Sequence, residues 1–287
     1  MSRLAGLRRG LARLRAYLVV GVIAALVAIL GVIAAYSYAA YRAAATDLVI
    51  ERDLQLAYLS AARLEDELSK FSEDLEDLAR TDDMRSNQSV RQQAALAGAR
   101  LRLSAFDAGI VLLDGTGRIR ATQPERPLAI GRDWSDRPYF RGLLTTSDVV
   151  FADTEIDGPD GSPAVVVAVP IEGGSGELLG ALVGMFRLGQ ATISPFYASI
   201  VRLRIGQSGD TYLVGSRGQI LYDSAVSFVG QPFESRALPA VDLQDSGGAI
   251  RTRDAAGHDV LAAFVPVPGT PWWLVTEDDW ATLTRTT

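Results

Sequence analysis

The stretch AVVVAVPIEGGSGELLGALVGMFRL, residues 164–188, decides the fold that the sequence predicts. Two runs of Val, Ala and Leu are separated by the Gly-rich turn GGSGE, a pattern typical of two strands joined in a hairpin. Earlier in the chain, GIVLLDGTGRIRATQP (109–124) has the same form around a DGTG turn. DVVFADTEID (148–157) adds a further strand, so we predict an antiparallel sheet.

The pattern begins again after residue 206. GDTYLVGSRGQILYDS (209–224) repeats the arrangement of strand, polar turn and strand, and GQPF (230–233) echoes the beginning of GRDWSDRPYFRGLL (131–144). HDVLAAFVPVPGTPWWLVTEDD (258–279) predicts two closing strands around a GTP turn. QATISPFYASIVRL (190–203) predicts a connecting helix. The sequence therefore predicts an α+β fold with two tandem PAS-like modules, residues 107–205 and 206–280, and a tail at 281–287.

Residues 42–106 predict a long stalk helix. Thr46 to Phe106 contain no proline, and apolar residues recur there at alternating steps of three and four, the spacing of one helical stripe: Leu54, Ala57, Ala61, Leu64, Leu68, Phe71, Leu75 and Leu78. TDDMRSN (81–87) interrupts this pattern, and a second helical stretch runs from about Ser89 to Ser104. The stripe fits a helix packed on its own domain or the seam of a parallel homodimer, and both alternatives stay open.

The first 41 residues predict a membrane anchor. Residues 1–15 carry five arginines, and an uncharged run from Ala16 to Tyr41 exceeds the roughly 20 apolar residues that cross a bilayer as a helix. By the positive-inside rule the N-terminus is cytoplasmic and the main body lies outside the cytoplasm. A cleaved signal peptide is the alternative, but the run is longer than its usual apolar region.

Composition excludes several classes of function. After the first 45 residues, 22 basic and 34 acidic residues give a net charge of −12, which argues against a nucleic-acid partner. The chain has no cysteine and one histidine, His258, so thiolate chemistry and histidine metal sites are not expected. We predict no catalytic residues, no metal and no cofactor. A membrane-anchored hydrolase, for which Asp153 and Glu155 offer paired carboxylates, and a structural protein built on the stalk remain alternatives.

The segment GRDWSDRPYFRGLL has an unusual density of rings and charges. Together with FADTEID (151–157), the strand pair at 164–188 and the ending VLAAFVPVPGTPWWLV (260–275), its DRPYF (136–140) resembles the double Cache family. This resemblance covers roughly residues 45–280. It implies an extracytoplasmic sensor domain of a bacterial histidine kinase, chemoreceptor or cyclic-di-GMP enzyme, located at the inner membrane.

The resemblance also implies a ligand site in the membrane-distal module. Arg137 would hold a carboxylate, since a guanidinium can bond both of its oxygens. Trp134, Tyr139 and Phe140 would form the pocket wall, and Asp153 would face the ligand from the next strand. Arg132 and Phe151 stand at further positions of the family pattern and complete the expected ligand-binding set.

One position departs from the amino-acid-sensing branch of the family. The acidic residue that pairs with the ligand's amino group there falls at Phe186 or its neighbour Met185. The expected ligand is therefore a small organic acid or another carboxylate that needs no amine. The chain ends EDDWATLTRTT without a second apolar span, so we expect either a fragment of a longer receptor, which we favour, or an anchored sensor that acts through another chain.

Overall fold

The structure, a computed structural model, describes residues 2–146, 148–154, 161, 163–188, 210–224, 229–233, 247–253 and 257–285. The chain divides after Val49 into two units, of which the first is helical and the second contains both sheets. The predicted connecting helix at 190–203 lies outside the described residues, as does the junction between the two predicted modules.

The N-terminal third of the chain is helical. Helix α1 runs Ser2–Ala79, α2 Asp82–Arg85 and α3 Ser89–Gly98. The break predicted at 81–87 is confirmed: the Thr81 hydroxyl donates to the carbonyl of Leu78 at 2.7 Å and accepts from the Met84 amide at 3.4 Å, so it caps the start of α2. Helix α3 ends six residues earlier than predicted, because turns follow Gly98.

The predicted transmembrane segment, residues 16–41, is not confirmed. The side chains of residues 1–25 lie outside the description. None of the helices in the part of the chain that the structure describes is long and apolar enough to cross a membrane.

Two five-stranded antiparallel sheets follow the helices. The first contains β1 Gly109–Asp114, β2 Ile119–Gln123, β3 Val150–Thr154, β4 Ala164–Glu172 and β5 Leu178–Arg187, in the order β2-β1-β5-β4-β3. The second contains β6 Asp210–Val214, β7 Ile220–Asp223, β8 Gly248–Arg253, β9 Asp259–Pro266 and β10 Trp273–Asp279, in the equivalent order β7-β6-β10-β9-β8. Helix α4, Pro138–Thr146, precedes β3, and a short helix α5, Trp280–Arg285, follows β10. The predicted pair of α+β modules is confirmed.

The two modules repeat each other down to single hydrogen bonds. Gly131 donates its amide to Ile119 at 2.8 Å with φ +82°, and Gly230 donates to Ile220 at 2.8 Å with φ +84°. Three residues beyond each glycine the chain returns to the hairpin turn: the amides of Trp134 and Phe233 donate to the carbonyls of Gly117 and Gly218, each at 2.8 Å. The echo of GRDW by GQPF is therefore a structural repeat, in which Phe233 takes the place of Trp134.

The apolar stripe of α1 is buried within its own chain. One hydrophobic cluster joins the helix to the inner faces of both sheets, with members that include Leu64, Leu75, Leu182, Phe186, Leu213 and Leu274. Each buried residue of the stripe is at most 4% exposed. These positions therefore pack on their own domain, and the homodimer predicted through the stalk would have to use the other face of the helix.

Candidate functional site

The predicted pocket segment forms a loop and the helix α4, which packs on the outer face of the first sheet. Pro138 opens the helix, where its missing amide hydrogen costs nothing and its fixed φ suits the first turn. Tyr139, Phe140 and Leu143 are buried, and they form an outer cluster with β-strand residues such as Ala152 and Met185. This burial holds the helix against the sheet.

Arg137 lies directly before this helix, against Trp134. Its guanidinium carbon is 5.9 Å from the centroid of the indole ring, a cation–π distance, and its side chain is 21% exposed. Its own amide donates to the carbonyl of Trp134 at 3.1 Å. Its Nη1 atom is 3.6 Å from a carboxylate oxygen of Asp136, which is largely exposed. A partly exposed cation is thus held at the amino end of a helix, where the helix dipole also favours negative charge.

The aromatic residues of the segment form one continuous group. The rings of Trp134 and Tyr139 meet edge to face, with centroids 6.4 Å apart and an angle of 82°. Tyr139 is fully buried and Phe140 is 2% exposed, and both belong to the outer cluster on the first sheet. The structure therefore brings together four of the predicted residues, Arg137, Trp134, Tyr139 and Phe140.

Arg132 stands apart from this group. It is exposed, and its Nε donates to the carbonyl of Leu128 at 3.1 Å. Its carbonyl accepts from the Ile119 amide at 3.0 Å, which ties the loop to β2. The neighbouring Asp133 is held by hydrogen bonds from the side chain and amide of Ser135, and these keep the pKa of its carboxyl below the ordinary value. Arg132 therefore has a local structural role in this loop.

Phe151 and Asp153 lie on the opposite face of the first sheet. Alternate residues of a strand point to opposite faces, and on β3 Val150 and Ala152 join the outer cluster while Phe151 packs on the inner one. The ring of Phe151 meets Trp272 of the second module edge to face at 5.9 Å. The structure does not bring Phe151 and Asp153 to the side chains around Arg137, because the register of β3 turns them towards the second module.

Asp153 is instead the centre of a buried hydrogen-bond network between the modules. Its Oδ1 accepts from the amide and hydroxyl of Ser216 at 3.2 and 3.1 Å, and from Nε1 of Trp272 at 3.2 Å. Its Oδ2 accepts from Gln219 Nε2, and Nη2 of Arg217 lies 3.6 Å from the same oxygen. The sequence offered no signal for this network, since its partners are 63 to 119 residues away along the chain.

The two candidates for the missing acidic position lie on opposite faces of β5. Met185 is fully buried in the outer cluster with Tyr139 and Phe140, whereas Phe186 packs on the inner face against Phe71 and Phe106. The side chain that faces the site is thus Met185, an apolar group. Among the described residues, no cluster of three or more His, Cys, Asp or Glu side chains could hold a metal ion.

The architecture is thus one long helix that packs on two like antiparallel modules, with an aromatic and cationic segment on the outer face of the first. The chain belongs to the double Cache family, because the Cache domain model of that family matches residues 41–287. None of the curated proteins compared with the chain matches it.

Solved structures of chemoreceptor ligand-binding domains share this fold. The chain is similar to the ligand-binding domain of the Pseudomonas fluorescens chemoreceptor CtaA in complex with L-isoleucine, with a TM-score of 0.68, 18% identity, and coverage of 86% of this chain and 99% of that one. It is also similar to the ligand-binding domain of the Pseudomonas aeruginosa PAO1 chemoreceptor PctB in complex with L-Arg, with a TM-score of 0.61, 18% identity, and coverage of 79% of this chain and 94% of that one. The ligand-binding domain of PctC from the same organism, in complex with GABA, has a TM-score of 0.60 and 18% identity, with coverage of 78% of this chain and 97% of that one.

Proposed function

We propose that the chain is the extracytoplasmic ligand-sensing part of a membrane-bound signalling receptor, and that it binds a small carboxylate in its first module. The observation that carries this proposal is Arg137, held over the Trp134 ring at the amino end of α4. A guanidinium is a planar fork of five N–H donors, a geometry that matches both oxygens of a carboxylate. Family membership supports the sensing role, and the site supplies the chemistry.

The residues around Arg137 favour an organic acid over an amino acid. The ligands named for CtaA, PctB and PctC each carry an amino group besides a carboxylate. In this chain the β5 side chain on the same face as Tyr139 is Met185, whose uncharged thioether cannot form an ion pair with an amino group. Asp153, the other acid expected near the ligand, has its carboxylate bonded to the second module. A carboxylate without an amine therefore fits this site best.

Calorimetric titration of the chain with short mono- and dicarboxylic acids and with the common amino acids tests the ligand class. We expect an organic acid to bind, and Arg137→Ala to weaken that binding about 10- to 100-fold, because a hydrogen bond to a charged group contributes about 1.5–3 kcal/mol. Arg141→Ala is the matched control, since Arg141 is exposed on the same helix. Unchanged affinity in Arg137→Ala, or tight binding of amino acids alone, would contradict the proposal.

Signalling would pass through the helix that both modules share. A ligand shifts a conformational equilibrium only by its difference in affinity between the two states, so occupancy must favour one packing of α1 against the sheets. The predicted homodimer would use the face of α1 that carries Leu56 and Leu59, which are 37% and 68% exposed. The mass of the chain in solution, compared between wild type and Leu59→Asp, tests this face.

A further inference from the structure

Two buried carboxylates lie between α1 and β10, away from the candidate ligand site. Asp53 of the helix is 4% exposed and Asp278 of the strand is 7% exposed. Asp278 shares the inner face of the second sheet with Leu274, whereas the alternation of the strand turns Glu277 to the outer face. The pair therefore lies in the contact between the shared helix and the last strand.

The hydrogen bonding of Asp53 is incomplete. Its Oδ1 accepts from Nε and Nη2 of Arg52 at 3.1 and 3.0 Å, and the Arg52 side chain is 60% exposed. Its Oδ2 is buried, and no described residue donates a hydrogen bond to it. A buried carboxylate oxygen without a donor is unfavourable, so this atom is a ready acceptor for a proton donor nearby.

Few other charges act on Asp278. Its partner on β9 is the uncharged Leu261, and on β6 Asp210 lies opposite Glu277 and so faces the other side of the sheet. The remaining charged residues described on the inner face are bonded to one another: Arg251 and Arg253 of β8 both donate to Asp259 of β9. Among the described residues, Asp53 and Arg52 are the charges that shift the pKa of Asp278.

These surroundings raise the pKa of the Asp278 carboxyl. Burial, followed by the charge of Asp53, raises the pKa of Asp278 to about 6, and Arg52 opposes the rise. A carboxyl with this pKa is about 90% protonated at pH 5 and about 10% protonated at pH 7. In the protonated form the Asp278 carboxyl carries no negative charge, so the repulsion between it and Asp53 is removed.

We propose that the contact between α1 and β10 is acid-responsive: a proton on Asp278 tightens the packing of the helix on the second sheet, and its loss sets two buried carboxylates against each other. The proton is thus a second input, independent of the carboxylate ligand of the first module. The effect reaches α5 directly, because β10 runs into that helix and the Thr282 amide donates to Asp279 Oδ1 at 2.7 Å.

The sign of the effect follows from linkage. A carboxyl whose folded pKa lies above its unfolded one contributes stability that is fully present below the unfolded pKa and is lost as pH rises through the folded pKa. Between pH 5 and pH 7.5 the unfolding equilibrium constant of the wild type should therefore rise about tenfold relative to that of Asp278→Asn. Titrating groups that do not interact with Asp278 are common to both proteins, so their contributions cancel in this ratio.

Urea unfolding of the 287-residue chain at several pH values measures this ratio, with Asp66→Asn as the matched control, since Asp66 is exposed on the same helix. We expect the ratio to change with pH for Asp278→Asn and to stay constant for Asp66→Asn. A ratio for Asp278→Asn that does not change between pH 5 and pH 7.5 overturns the proposal.

A second measurement needs no variant at the strand. The carboxyl carbon of Asp278, followed by NMR in ¹³C-aspartate-labelled wild-type protein, should titrate near pH 6, and Asp53→Asn should lower that midpoint by removing the neighbouring charge. Titration of Asp278 below about pH 4.5 in the wild type overturns the proposal even if a variant fails to fold.

Discussion

Replacing Asp153 by alanine should uncouple the two modules. The side chain of Asp153 is fully buried, and the substitution removes the acceptor of the Trp272 indole, the Ser216 amide and the Gln219 amide group at once. Each buried donor that is left without an acceptor costs about 1–3 kcal/mol, and three donors lose theirs together. The Arg217 ion pair adds little to this sum, because that side chain is 50% exposed. We expect Asp153→Ala to lower the free energy of unfolding by about 3–5 kcal/mol.

The variant Asp153→Asn should recover much of this loss. Its amide keeps one oxygen for Ser216 and Trp272 and places an NH₂ group where Gln219 donates now. Gln219 Oε1 is buried and has no hydrogen-bond partner among the described residues, so a rotation of its amide group would restore the pairing. We expect a cost of about 1–2 kcal/mol for Asp153→Asn.

Urea unfolding followed by tryptophan fluorescence and circular dichroism measures both effects. Asp148→Ala is the matched control, since Asp148 is exposed just before the same strand and should change the free energy of unfolding by less than about 0.5 kcal/mol. We also expect the two signals to coincide for the wild type and to separate for Asp153→Ala, as the modules lose their common network. An alanine variant within about 1 kcal/mol of the wild type would refute this account of Asp153.

Two further predictions concern glycines. Gly184→Ala should lower the free energy of unfolding by about 1–3 kcal/mol, because a Cβ there would lie against the Phe106 ring and 2.9 Å from Leu75 Cδ1. Thermal unfolding measures this loss, and an unchanged melting temperature would contradict it. Gly131→Ala and Gly230→Ala should each cost about 1 kcal/mol, since both have positive φ and open space around the missing Cβ. Equal losses in denaturant unfolding would support the repeat, and a loss at one position alone would contradict it.

The alternation of apolar runs and glycine-rich turns was enough to predict both sheets, because antiparallel hairpins are local structures. The echo of GRDW by GQPF rests on the same local geometry, in which a glycine with positive φ returns the chain to its hairpin. The stripe of α1 was also visible, but its spacing is equally suited to a homodimer and to the packing within the chain that the structure shows. Helical periodicity identifies the buried face and leaves its partner open.

Which residues of the candidate site lie close together was predictable only within one local segment. Trp134, Arg137, Tyr139 and Phe140 lie within one loop and one helix, and the structure brings them together. Asp153 depends on the register of β3, and a shift of one residue moves a side chain to the other face of a sheet. Its partners, and those of Asp278, lie in distant elements, so no local pattern could assign them.

The shared cluster of α1 has a consequence for how such sensors can be recombined. Ala57 and Ala61 of α1 belong to the same hydrophobic cluster as Leu213 and Leu274 of the second module, although they lie more than 140 positions before that module begins. A chimera that joins the first module of one receptor to the second module of another would pair one parent's helix with the other parent's sheet. A functional chimera should therefore take α1 and both modules from the same parent. Ligand specificity within that unit should be changed by substitutions around Arg137.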